Sequence, residues 1–572
     1  MSDSIVYDLS STSETIDRPF INKDWQYVND QNNGSYASGQ VIISTETLSN
    51  SGKWVNFQEA YLKVPVIAVV SSKTGGVAQD MTAAGTEFVA GLKNGHWNLI
   101  HSMVVEYNNT AVVQSTAFTN VYSSFKAHTT YSLDDVKTVG PSIGYSPDSE
   151  TSWAFANPAS SFGFGSCNNS NWVNNHNSRL AYGTNSLNSG NRGFLERQLN
   201  DQPTLGQNGS QLLTDTNKMT DTLQNRIWKD TNYVAIYITA TIRLKDIANL
   251  FEKFPVVRGA TFKFTINVNQ SSFKVTKKRG TTNAQLFGAN LTDATGPRMV
   301  ITEMQSLNGT NPLMIASSFG SDAAITSAGA IFNSDHATGS VISASCYVGA
   351  VTSQEHNSLN LRSTFPVRLY APLYTMNPLR LEEYLNMGQK LIQYTDIFSY
   401  NLNNVATGGF NQTISNGMSG IKKVIVCPFV ASAANGGYTP AMSPFASEPS
   451  TTSPFPGGAL SELNLKIAGM NVLQNNIKYG YEAFLHQMYG INSINGGVTS
   501  GINSGLISQR MWQNNYQYYV FDCSRHLPEE DRVSKAVEIY GKNNSLVALD
   551  LFVFIEVQRE IKIDIATGAR VA

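Results

Sequence analysis

Charged side chains are scarce in this chain. Lys, Arg, Asp and Glu make up 14% of its 572 residues, and the formal net charge is −2. An average globular domain has roughly a quarter of its residues charged. Because neither terminus carries a basic run, the sequence argues against strong direct binding to nucleic acid. Lys and Glu are depleted at protein interfaces, so such a surface suits a protein whose flanks pack against neighbours. A β-rich protein with long polar loops would have the same composition.

Cysteine and long apolar runs are also rare. The four cysteines, Cys167, Cys346, Cys427 and Cys523, lie far apart without CxxC spacing. This spacing predicts buried, reduced thiols and argues against a zinc site or a disulfide framework. The longest apolar stretches, at residues 64–70 and 546–557, are too short to span a bilayer. No signal-peptide core follows Met1, so classical secretion is not expected.

Catalytic signatures are missing as well. The sequence contains no HExxH motif, no phosphate-binding loop and no nucleophile elbow. We therefore expect no enzyme activity, and no catalytic, cofactor-binding or metal-binding residues. The best acidic pair, Asp148 and Glu150 beside Trp153, could serve glycoside hydrolysis on a β-sandwich. Paired loop carboxylates are nevertheless common without a shaped cleft, so this reading is the weaker one.

Other polar and aromatic residues are better explained by structure than by chemistry. Asp134–Asp135 and residues 529–531 lack EF-hand spacing and are predicted to cap helices. His101 and His526 have no ligand-spaced partner and are interpreted as structural. Around position 518, aromatic side chains alternate between both faces of a strand, which indicates packing between layers and not base stacking: Tyr516 and Tyr518 on one face, Tyr519 and Phe521 on the other. Glycosylation sequons at Asn33 and Asn108 are interpreted as accidental in an Asn-rich chain.

What the chain does contain is a set of β signals that occurs twice in the same order. The first copy is a strand at residues 98–107, an Asn108-Asn109 turn and a helix at 117–126. The second is a strand at residues 463–473, an Asn475-Asn476 turn and a helix at 481–489. Two copies of one β domain without a catalytic signature suggest a building block.

The remaining pattern predicts an all-β chain of two tandem sandwiches. Strands dominate; Phe262 to Val268, for example, alternates apolar and polar residues. Asn377-Pro378 predicts the start of a helix, and we place the domain boundary there. The expected organisation is a flexible arm at 1–30 that orders only on assembly, a first domain at 31–376 with a large loop insertion near 140–230, a linker helix at 377–387 and a second domain at 388–572.

Several blocks resemble the major capsid proteins of polinton-like viruses, adomaviruses and their virophage relatives. They occur in order and cover most of the chain outside the variable loops: GHWNLIHSMVVEYNNT at 95–110, SLDD at 132–135, GPSIGY at 140–145, RLKDIANLFEKFP at 243–255, RLYAPLYTMNP at 368–378 and FNQTISNGMSGIKKVIVCPF at 410–429.

The resemblance implies a double jelly roll, that is, two tandem eight-stranded antiparallel sandwiches with short helices and long surface loops. It implies homotrimeric, pseudo-hexagonal capsomers that tile the icosahedral shell of a double-stranded DNA virus. Expected partners are further copies of the chain, neighbouring capsomers, and penton and minor capsid proteins. Expected localisation is the virion, after assembly inside the host cell. After residue 558, however, too little chain is left for two more full strands. The alternative function is a glycan-binding or glycan-cleaving sandwich protein, such as a virion spike or fibre.

Overall fold

The computed structural model describes about two thirds of the chain. The described residues are 19–36, 38–74, 77–78, 88–147, 197, 219–221, 225–229, 233–279, 297–317, 340–349, 365–386, 388–431, 441–442, 444, 459–473, 479–494, 505–514, 516–524, 533–545 and 548–571.

The strands, in chain order, are β1 (Phe20–Asn29), β2 (Gln40–Ser44), β3 (Trp54–Val55), β4 (Tyr61–Thr74), β5 (Val77–Ala78), β6 (Phe88–Leu92), β7 (Ile100–Tyr107), β8 (Thr110–Ser115), β9 (Met219–Asp221), β10 (Asn225–Lys229), β11 (Val234–Arg243), β12 (Phe262–Val268), β13 (Ser271–Arg279), β14 (Pro297–Ser306), β15 (Leu313–Ser317), β16 (Ser340–Val348), β17 (Arg368–Met376), β18 (Gln389–Val405), β19 (Gly408–Met418), β20 (Ile421–Val430), β21 (Leu460–Ile467), β22 (Met470–Asn471), β23 (Tyr519–Asp522), β24 (Lys535–Asn543), β25 (Leu549–Asp564) and β26 (Arg570–Val571).

The α-helices are α1 (Glu46–Ser49), α2 (Thr119–Thr130), α3 (Leu133–Thr138), α4 (Gly140–Ile143), α5 (Leu244–Ile247), α6 (Leu250–Lys253), α7 (Pro378–Leu385), α8 (Tyr481–Ile494) and α9 (Gln509–Asn514). A 3₁₀ turn at His96–Leu99 precedes β7. Among the described residues, no helix combines the length and apolar character that a membrane span needs.

The first sandwich is built from eight strands. The first strand pairs with the last, the second with the seventh, the third with the sixth and the fourth with the fifth. β1 pairs with β17, β2 with β12, β4 with β11 and β7 with β8, all antiparallel. One sheet therefore has the order β1-β17-β4-β11, and the facing sheet has the order β2-β12-β7-β8. This is the strand order of a jelly roll, in which one long hairpin is folded over into two sheets.

The second sandwich repeats this order. β18 pairs with β25, β19 with β24, β20 with β23 and β21 with β22, so the sheets read β18-β25-β20-β23 and β19-β24-β21-β22. The prediction of a double jelly roll is thereby confirmed from strand order alone. The expectation that the second domain lacks chain for its last strands is wrong. β25 already is the eighth strand, and it extends to Asp564.

The continuous strand predicted at 463–473 of the second repeat is also wrong. The first copy turns at Asn108-Asn109, where both residues have positive φ (46° and 64°), as the sequence predicts. In the second copy the turn is Ala468-Gly469, with φ of 51° and 82°, between β21 and the short β22. The predicted continuous strand at 463–473 is therefore split, and residues 475–476 lie outside the described residues.

The structure contradicts the expectation of a flexible arm at 1–30 for residues 20–29, which form β1. Residues 20–29 form the edge strand of the first sandwich, and they pair with β17 along its length. Sequence periodicity did not reveal this strand because the residues that alternate with the outward Trp25 and Tyr27 are mostly polar: Asn22, Asp24 and Gln26 precede Val28. A register shift after Phe20 places its ring on the outer side, against Tyr374.

Long connections of the first sandwich carry additional strands. Between β12 and β17 the chain adds β13, β14 and β16, which join the main sheet through β4, and β15, which pairs with β6. The insertion predicted near 140–230 contributes β9 and β10, which extend the same sheet beyond β11. Helix α7 follows β17 as predicted, with the Asn377 side chain accepting a hydrogen bond from the Leu379 amide (3.1 Å).

Candidate assembly site: the junction between the sandwiches

Helix α2 of the first sandwich lies across the outer face of the second. Phe118, Tyr122 and Phe125 recur at helical spacing on one side of the helix. Their rings meet three aromatic rings of the second sandwich: Phe118 with Phe552 (4.7 Å), Tyr122 with Phe554 (5.9 Å) and Phe125 with Tyr518 (5.0 Å). Almost every described side chain of α2 is buried as a result. Such aromatic pairs add roughly 0.5–1.5 kcal/mol each beyond area burial.

A buried carboxylate of the second sandwich forms an ion pair within that sandwich and also binds the backbone of β8. The Asp396 side chain is fully buried, and Arg559 Nε lies 3.2 Å from its Oδ2. The backbone amides of Gln114, from the first sandwich, and Ile397 also donate to this carboxylate (3.1 and 3.0 Å). Burial raises the pKa of Asp396, while Arg559 and the two amides oppose that effect. A buried charge is tolerated when its partners are this complete.

Further hydrogen bonds fix the position of one sandwich relative to the other. Tyr394 Oη donates to the Val112 carbonyl (2.5 Å), and Tyr122 Oη donates to the Glu556 carboxylate (2.7 Å). The Ser399 amide donates to Thr116 Oγ1 (2.6 Å). Since these bonds come from several strands and a helix, they restrict rotation as well as sliding.

The C-terminal turn reaches back to the first repeat. Tyr107 Oη and Asn108 Nδ2 both donate to the Gly568 carbonyl, the latter at 3.0 Å. Gly568 has φ of 65°, and a Cβ there would lie 2.3 Å from the Arg258 carbonyl oxygen, so only glycine fits. The engagement of the Asn108 side chain in this contact agrees with the interpretation of its sequon as accidental.

Long connections of the two sandwiches also form hydrogen bonds with each other. Lys93 Nζ and the Asn311 amide both donate to the Ala441 carbonyl (2.7 and 3.0 Å). The Ile315 amide donates to the Pro444 carbonyl (2.9 Å). Together with the contacts of α2, β8 and the C-terminal turn, these hydrogen bonds join the two jelly rolls into a single block.

The residues that the sequence analysis singled out have structural roles in the fold. Cys346, Cys427 and Cys523 are buried free thiols, as predicted, and burial raises the pKa of Cys346 to about 12. Asp135 forms a capping box with Ser132 at α3, as predicted. Outside the described residues lie Cys167, Asp148, Glu150, Trp153, His526 and residues 529–531.

The interpretation of the aromatic strand is confirmed, although β23 itself spans only Tyr519–Asp522. Tyr516 and Tyr518 stack on each other on the side of α2, while Tyr519 and Phe521 pack on Tyr479 inside the second sandwich. His101 lies on β7 with its ring edge against Phe118 (5.0 Å). Burial lowers the pKa of His101 to about 4. Among the described residues, no group of three or more His, Cys, Asp or Glu could hold a metal ion.

A polar cleft of about 580 Å³ lies between α2, α3 and α5. Its carboxylates already have partners within the chain. Asp246 binds Arg243 and Tyr131, Glu252 binds Lys126, and Asp135 caps α3. Glu59 binds Lys23 and accepts a hydrogen bond from Tyr374 Oη (2.7 Å). With its acids used in this way, the cleft offers no free pair of carboxylates for hydrolysis.

Sequence reasoning missed the residues of the junction. Asp396 and Gln114 are 282 positions apart, and nothing local distinguishes either from an ordinary polar residue. The one available signal was the apolar spacing of Phe118, Tyr122 and Phe125 within the repeated helix. That spacing shows an apolar stripe but not what covers it.

Comparisons with known proteins found solved structures that are similar to this chain at low sequence identity. A chain of the Sputnik virophage particle is similar over 97% of this chain and 88% of its own, with 10% identity and a TM-score of 0.44. The mavirus major capsid protein is similar over 100% and 94%, with 11% identity and a TM-score of 0.44. The Faustovirus major capsid protein is similar over 95% and 90%, with 10% identity and a TM-score of 0.41. No family model matches the chain, and no curated protein does. The fold assignment rests on the strand order described above.

Proposed function

We propose that this chain is the major capsid protein of a double-stranded DNA virus, with a structural and not an enzymatic role. The observation that carries the proposal is the junction: two complete jelly rolls of the same strand order are fixed side by side as one block. A rigid double block is what a shell tile requires, because a tile transmits its position to its neighbours. The ordered sequence blocks that resemble capsid proteins support the same reading.

In the proposed arrangement three chains form a pseudo-hexagonal capsomer, and capsomers tile an icosahedral shell in the virion. Closed rings of identical chains multiply modest contacts by symmetry. Penton and minor capsid proteins of the same virion would be the other partners. The scarcity of basic runs supports a shell that leaves DNA condensation to other components. We also propose the boundary between the two domains at residues 377–387.

The test is the assembly state of the purified full-length chain. Size-exclusion chromatography with light scattering should give a stable trimer, and negative-stain microscopy should show pseudo-hexagonal particles or shell fragments. A chain that stays monomeric at all concentrations and binds or cleaves glycans would overturn the proposal. It would favour the spike or fibre alternative, which no described residue supports.

A further inference from the structure

The two sandwiches carry a helix at the same place in their strand order. α2 connects the fifth strand of the first sandwich, β8, towards its sixth, β11. α8 connects β22 towards β23, the fifth and sixth strands of the second sandwich. The helices are thus equivalent parts of the repeat, and the contacts of one indicate what the other is shaped to do.

The apolar stripe of α2 is covered within the chain. Phe118, Tyr122 and Phe125 are spaced by four and three residues, and they pack on the outer face of the second sandwich. Phe118 has φ of 60°, which is rare for a bulky residue. Tyr481, Leu485 and Met488 repeat the same spacing on α8. They pack against the core of the second sandwich on one side and stay only partly buried.

The outer face of the first sandwich is the matching uncovered surface. We call it the open face and define it by five residues: Trp25, Tyr27, Tyr61, Tyr370 and Tyr374. Trp25 and Tyr27 are each 49% exposed. Four of these rings form a continuous row across three strands, with centroids 5.5 Å apart for Trp25–Tyr61, 5.3 Å for Tyr61–Tyr370 and 5.5 Å for Tyr27–Tyr370. Exposed aromatic clusters of this kind are typical of protein interfaces.

The strands of this face correspond to those that α2 covers in the second sandwich. β17 and β4 hold Tyr370 and Tyr61, and their counterparts β25 and β20 form the face beneath α2. The same face of the repeat is therefore buried in one sandwich and uncovered in the other.

Charge supports an acidic partner on the open face. Lys63 donates to Thr241 Oγ1 (2.9 Å) and Arg368 to Asn29 Oδ1 (3.2 Å). Among the described residues, neither cation has a carboxylate within ion-pair distance. Arg368 instead stacks over the Tyr27 ring at 4.8 Å. On α8, Glu482 is exposed in the first turn beside Tyr481, where it can reach a facing cation.

We propose that α8 of one copy packs on the open face of the next copy, and so repeats between chains the contact that α2 makes within one chain. This inference rests on the proposed function, since it needs self-association. The contact is head-to-tail, because helix and face are different surfaces of the same chain. Head-to-tail contacts close into rings when the rotation between copies permits. In a ring of three copies, contacts within a chain would then alternate with contacts between neighbouring chains.

Cross-linking of two differently tagged, co-expressed chains tests the contact directly. One chain carries Trp25→Cys and the other Leu485→Cys. Oxidation should join the two tags in a single covalent dimer. The matched control pairs Trp25→Cys with Met470→Cys, a residue that is 64% exposed but lies on β22 and not on α8. Equal cross-linking in both pairs, or none in the first, contradicts the proposal.

Disruption provides the second test. Trp25→Lys and Leu485→Lys should each raise the concentration at which the trimer dissociates at least tenfold, with the thermal transition of the monomer retained. Leu379→Lys, at a more exposed position on α7 (65%), is the control and should leave dissociation unchanged. If both interface variants form trimers like the unmodified chain, this inference is wrong while the capsid role stands. If the unmodified chain is itself monomeric, the proposed function fails. Association with glycans or lipid vesicles that depends on Trp25 would assign the open face to another partner.

Discussion

The two sandwiches share one strand order but differ in what covers their outer faces and in how much chain they insert. The second sandwich turns Phe552 and Phe554 outward, and α2 of the first sandwich buries them. The first sandwich turns Trp25 and Tyr27 outward and leaves them about half exposed. Both sandwiches therefore carry aromatic rings on the outer face of the corresponding sheet, and in the second sandwich these rings are buried within the chain.

The covered and open faces should respond very differently to truncation. Phe552→Ala is expected to lower the free energy of unfolding by about 3–5 kcal/mol, because it removes a buried ring and leaves a cavity. Tyr370→Ala on the open face should cost only about 1–2 kcal/mol in the dissociated chain, since its ring is half-buried. Urea denaturation at low protein concentration measures both. Equal losses would mean that the two faces are not different in the monomer.

The buried Asp396–Arg559 pair at the edge of the junction should contribute more to stability than an exposed ion pair. Arg559→Ala should destabilise the chain by about 3 kcal/mol, because Asp396 then stays buried without its cation. The exposed Lys542–Glu462 pair on the second sandwich is the control, with an N–O distance of 2.7 Å and half of each side chain exposed. Lys542→Ala should cost less than about 1 kcal/mol. Similar losses for the two variants would show that burial at the junction adds nothing to the pair.

A pH effect should arise from His101, which faces the junction through Phe118. Its pKa is lowered to about 4 by burial, whereas an unfolded chain has a histidine pKa near 6.5. Between these values the unfolded state binds more protons, so stability falls as the pH falls from 6.5 to 4. Replacement by phenylalanine removes that titration and keeps an aromatic ring at this position.

His101→Phe should therefore reduce the stability lost between pH 7 and pH 5 by about 1–2 kcal/mol. Denaturation midpoints at the two pH values give this difference. His96, whose pKa is also lowered to about 4 by burial, leaves a residual pH dependence in the variant. An unchanged pH slope in His101→Phe would contradict the assignment.

Local sequence signals predicted those parts of the fold that local chemistry determines. The alternation from Phe262 to Val268, the Asn108-Asn109 turn and the Asn377 cap appear in the structure as expected. β1 was missed because its inward side is mostly polar. The turn at Ala468-Gly469 was missed because Asn475-Asn476 is a stronger turn signal in sequence. The junction joins positions hundreds of residues apart, and a single sequence contains no pattern for such pairings.

The smallest effect is expected where the C-terminal turn meets the first repeat. Tyr107→Phe removes one of the two donors to the Gly568 carbonyl, while Asn108 Nδ2 still donates at 3.0 Å. Because the acceptor keeps a partner, the loss should be only about 1 kcal/mol. Hydrogen exchange of the amides of residues 564–570 should become faster, with the junction at α2 unaffected. Tyr540→Phe removes an exposed hydrogen bond to Asn471 and should change neither measurement. Faster exchange along α2 as well would show that the C-terminal turn and the helix stabilise the junction as one cooperative unit.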